Sequence, residues 1–117
     1  IRFNENHKAV KLSVSSTVFN YDIIKTNNLQ FKDIKPAWED TRFLMDYYKL
    51  LRKKIICYSK DVSYFYRKTE NFKSTTNNML ENEDYYTTCF ENGVIPLLKE
   101  YEDVPGYVQQ KILELSI

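Results

Sequence analysis

The sequence predicts a mainly α chain: a helical bundle built on one long amphipathic helix, with an N-terminal β-hairpin. Three observations carry that expectation. Apolar residues recur every three or four positions over 44–72, they alternate with polar ones over 9–24, and turn-forming residues divide 74–117 into short segments. At 117 residues and 14.1 kDa the length suits a single domain over 1–117. It is laid out as a hairpin and connecting loop (1–35), a long helix or two helices (36–73) and three shorter helices (79–117). A start at Ile1 rather than Met reads as a fragment of something longer.

In the hairpin, Val10, Leu12 and Val14 share one face of a first strand; after Ser15 and Ser16, Thr17, Phe19, Tyr21 and Ile23 share a face of the second. Two strands alone are marginal in water, so they need the helices after them as cover, or pairing with strands outside this stretch or in a second copy. Residues 25–35 have no period and contain Asn27 and Asn28, which reads as a loop tacked to the core by Leu29, Phe31 and Ile34.

Pro36 suits a first helical position, where its missing N–H costs nothing, and Glu39 and Asp40 complement the helix dipole in the first turn. Leu44, Tyr48, Leu51, Ile55, Tyr58, Val62, Phe65, Thr69 and Phe72 then recur at alternating spacings of 4 and 3, a coiled-coil-like seam over four repeats. Phe43, Met45, Tyr47 and Leu50 widen the apolar band early, predicting burial on two sides over 43–58 and on one side beyond. A helix over 36–73 would measure about 57 Å, longer than the ~30 Å of a small domain. Either it projects and another chain covers its far end, or it breaks, most readily at Ser59, Lys60 and Asp61. Beyond the polar run 74–78, a helix over 79–92 places Met79, Tyr86 and Phe90 on one stripe, with Gly93 as a left-handed stop. Two shorter helices come after it, over 94–101 and 107–117.

Composition excludes several chemistries. Only Gly93 and Gly106 are present, too few for a glycine-lined phosphate cradle. His7 is the lone histidine, and Cys57 and Cys89 stand far apart in sequence, so no metal site and no cofactor are expected. Both cysteines read as small buried apolar residues. Glu81, Glu83 and Asp84 read as a solvated face, and no serine sits in a nucleophile elbow, so the chain is expected not to be an enzyme. No apolar run approaches the roughly 20 residues of a membrane span. With no signal-peptide pattern and no Asn-x-Ser/Thr acceptor, the expected location is intracellular, cytoplasmic or nuclear.

The net charge of +1 conceals a division. Residues 49–73 hold eight basic side chains against two acidic, a net +6, whereas 79–103 hold seven acidic against one basic, a net −6. Ten of the aromatic residues are Tyr, whose apolar body and polar tip suit surfaces that are alternately wet and covered. The expected function is therefore a non-catalytic protein-protein interaction module or oligomeric subunit. Its partner is another protein or a second copy of itself, held by Tyr58, Val62, Phe65 and Phe72 and oriented by the opposite charges. The alternative is a binder of an anionic surface, nucleic acid or acidic lipid, through Lys49, Arg52, Lys53, Lys54, Lys60, Arg67 and Lys68, with interleaved Tyr and Phe rings for stacking.

Two stretches resemble known families. Residues 90–117 (FENGVIPLLKEYEDVPGYVQQKILELSI) resemble the last two helices of an armadillo or HEAT-type unit. Asn92-Gly93 would be the helix stop, 94–98 would open the next helix, and 108–115 would form the last. Residues 44–72, Tyr-rich after a β segment, are similar to the early helices of poxvirus Bcl-2-like immune modulators. Both resemblances imply helical surfaces that bind other proteins without catalysis.

Overall fold

The computed structural model describes residues 11, 13–35, 37–51, 57, 59–67 and 81–100. Among them all regular structure is helical: α1 (Tyr21–Thr26), α2 (Glu39–Leu50), α3 (Glu83–Tyr86), a π-helical turn (Phe90–Val94) and α4 (Ile95–Glu100).

No strand occurs where the second arm of the hairpin was expected. Residues 17–20 are irregular and α1 begins at Tyr21. The reason is local: the Asn20 side chain accepts from the Asp22 N–H at 3.0 Å, capping the helix start, and Asp22 adds negative charge to the first turn. Most of the first arm lies outside the described residues. Instead of pairing as a sheet, 13–34 lies against α2. Asp40 accepts from the Val14 N–H at 3.0 Å and the Ser13 hydroxyl at 3.2 Å. Phe19 meets Phe43 and Tyr47 edge-on at 5.5 and 5.0 Å, and Phe31 stacks on Phe43 at 4.2 Å.

The start of α2 matches its sequence signals, with Glu39 and Asp40 in the first turn; Pro36 lies outside the described residues. The early widening of the apolar band is real, since Phe43, Leu44, Met45 and Tyr47 are all buried and Leu44 completely so. Arg42 is buried with them, bonded to Asp46 at 3.1 Å and to Glu100. Burial would lower the pKa of its guanidinium, but the hydrogen bonds to Glu100 and Asp46 and their charges outweigh it and hold the pKa above its ordinary value.

The long helix is not continuous. Its backbone turns extended at Leu51 (φ −69°, ψ 112°), and 59–67 is irregular. A 3.5-residue period states which face a helix would bury; the helix persists only where something covers that face. Val62, Tyr64, Phe65 and Tyr66 are β-branched or aromatic, weak helix formers without such cover. Asp61 N–H bonds instead to the Ser59 hydroxyl at 3.3 Å, a local turn that competes with helix.

The last described run sets Cys89 and Gly93 against Ile34, Ala37 and Trp38, the approach to α2, and its Val94 and Leu97 are buried too. Ala37 N–H donates to Cys89 Sγ at 3.2 Å. Trp38 caps α2 with a left-handed backbone (φ 83°), a conformation that costs a bulky residue about 1–3 kcal/mol. Its ring lies so close to Gly93 that a Cβ there would sit 3.1 Å from Trp38 Cβ. Gly93 is therefore no left-handed stop. It sits inside the π-helical turn, without positive φ, and helix continues directly into α4. Pro96 accounts for the widened turn: it has no N–H to give, and its ring needs room near the Asn92 carbonyl. The core stripe accordingly runs through Cys89 and Leu97, not through Tyr86 and Phe90, which are exposed; Met79 lies outside the described residues.

Candidate functional site

Helix α2 turns Tyr47 and Tyr48 toward the N-terminal segment, and Leu51, just past its end, lines the same cleft. Asn20 N–H donates to the Tyr47 hydroxyl at 2.9 Å, and the Tyr48 hydroxyl donates to the Lys11 carbonyl at 3.3 Å, which fixes both rings. The two rings meet at 6.5 Å. Across from them stand Cys57 and 59–64, and between the walls opens a cleft of about 710 Å³. Its apolar lining comes from Val18, Phe19, Tyr47, Leu51, Val62 and Tyr64; Ser16, Thr17, Ser59 and Ser63 supply hydroxyls. Cys57 borders it as an exposed thiol, contrary to the buried role expected of it.

Two of the four expected partner-binding residues are placed. Val62 is 75% exposed and Phe65 89% exposed, beside the half-exposed rings of Tyr64 and Tyr66. Tyr58 and Phe72 lie outside the described residues. Of the expected anion-binding residues, Lys49, Lys60 and Arg67 are exposed, whereas Arg52, Lys53, Lys54 and Lys68 lie outside the described residues. Residues 59–67 are all exposed, so apolar and charged side chains are presented together there.

A second exposed surface was missed in the sequence. On the helical run opened by α3, Tyr86 and Phe90 point outward, 56% and 40% exposed, between the exposed carboxylates of Glu83 and Glu91. The spacing of Tyr85, Cys89, Gly93 and Leu97 would have revealed the true inward stripe, and with it the outward one. Val18, 98% exposed at the cleft margin, was also missed, because strand alternation does not say which face is covered.

Two groups here, one buried and one half-buried, titrate late. Burial pushes the Cys89 thiol up, helped by the Glu39 and Asp84 carboxylates and opposed by the Ala37 backbone hydrogen bond. Burial also raises Tyr85, as do neighbouring Cys89 and Tyr86, against a hydrogen bond from the Trp38 side chain. Among the described residues no group of three His, Cys, Asp or Glu could hold a metal ion, and no helix is long and apolar enough to cross a membrane. No family model matches the chain, nor does any curated protein or solved structure.

Proposed function

We propose that this chain is a non-catalytic protein-interaction module whose contact surface centres on Val62 and Phe65, at the margin of the cleft. The observation that carries the reading is the exposure of those two side chains, 75% and 89%, next to Val18, Tyr64 and Tyr66. An isolated apolar side chain at a surface is ordinary, but several together are a feature of binding surfaces. Each side chain of this size left in water forgoes about 1.5–3 kcal/mol that a partner could recover. The tyrosines around them suit a surface that must remain wet between encounters. The amphipathic helix is thus not the binding element; the irregular segment that replaces its second half is.

Replacing Phe65 with a benzophenone amino acid and irradiating the whole chain among its native cell contents tests this, with exposed Lys35 as the control position. Covalent adducts with a protein, this one or another, formed from position 65 and not from 35, are the expected result. Labelling no stronger at 65 than at 35 overturns the reading, and adducts with nucleic acid or lipid would transfer it to the basic residues instead.

A further inference from the structure

We infer that the partner of this surface is a second copy of the same chain, whose acidic aromatic face over 83–91 docks on Val62 and Phe65. The inference rests on the interaction reading above and adds the identity of the occupant, through complementarity of charge around two exposed apolar patches. The first surface sets Val62 and Phe65 between the exposed cations Lys60 and Arg67. The second sets Tyr86 and Phe90 between the exposed carboxylates Glu83 and Glu91. Among the described residues none of these four charges has an ion-pair partner. The segments around them repeat the opposition in sequence, +6 over 49–73 and −6 over 79–103.

Because one molecule carries both surfaces, a two-fold arrangement engages each of them twice and closes without leaving either free. Apolar rings would meet at the centre of each contact, with opposite charges at the rim. Rim charges of this kind set orientation and encounter rate and are screened by salt.

Sedimentation velocity of the whole chain over a range of concentrations tests the inference. Wild type should dimerise reversibly, and more weakly when ionic strength rises from about 0.05 to about 0.5 M. Lys60→Glu with Arg67→Glu should lower self-affinity about tenfold or more, and so should Glu83→Lys with Glu91→Lys. Mixed together, the two reversed variants should recover dimer, because each then offers the other a complementary pair of surfaces; a variant that had merely lost its fold could not do this. A wild type monomeric at every concentration, reversed variants that dimerise unimpaired, or a mixture that fails to recover each overturns the inference. A monomeric chain whose position 65 still labels another protein refutes self-docking alone, whereas a monomer that labels nothing refutes the interaction reading as well.

Discussion

Gly93 and Trp38 make one unit. Trp38 holds a left-handed backbone that its side chain disfavours, and Gly93 gives its ring the space to lie on the π-helical turn. Changing Gly93→Ala sets two effects against each other. Alanine gains about 1 kcal/mol in helix propensity. Its methyl would also stand 3.1 Å from Trp38 Cβ, an atom fixed to the backbone and unable to swing aside, and overpacking of this kind costs about 1–3 kcal/mol. The clash should win, and urea unfolding should show a lower midpoint for Gly93→Ala. A higher midpoint would mean that the turn widens to admit the methyl. Sequence alone showed that this glycine was one of two, but not why it was there; a stop and a close approach have the same letter.

Among the elements, α2 was legible at its start and along its buried face. Acidic residues in the first turn and the crowded apolar band over 43–47 depend only on neighbours in the chain. Its end was not legible. The heptad spacing continues through Val62 and Phe65, but whether a helix accompanies it is decided by tertiary cover, which no local pattern encodes. The same separation explains how the spacing could single out Val62 and Phe65, both strongly exposed, while implying a helical backbone that they do not have. In α1 the cap Asn20 and the first-turn Asp22 were readable, yet the alternation of Phe19, Tyr21 and Ile23 gave a stronger strand signal. Since α1 has no buried residue, its cap matters more than usual. Asn20→Ala should cost about 1 kcal/mol locally. Faster amide exchange in 22–27, with little change in α2, is the expected outcome; equal slowing or speeding of both helices would tie α1 to the core more firmly than its exposure implies.

At the scale of the whole molecule, the two raised groups Cys89 and Tyr85 predict a loss of stability at alkaline pH. Cys89 and Tyr85 both have pKa values raised by folding, so the folded form keeps protons that the unfolded form releases. Their contribution to stability is complete below the unfolded thiol value, about 8.5, and is lost as pH rises through the folded values. The melting temperature should hold between about pH 7 and 8 and decline above about 8.5. A Cys89→Ala variant, weaker at neutral pH because the buried thiol is gone, should decline less steeply. A parallel decline in both proteins would place the alkaline sensitivity elsewhere.

The bond between Ala37 and Cys89 joins residues 52 positions apart, and it decides the order in which this chain can mature. While synthesis proceeds from the N-terminal end, Ala37 and Trp38 emerge long before Cys89 and Gly93, which they meet in the folded chain. Until those arrive, the entropy of closing so large a loop is still unspent, and the start of α2 is met only by the segment that precedes it. The contact at Ala37 therefore closes only after residues 89–93 have been made, well after α2 itself.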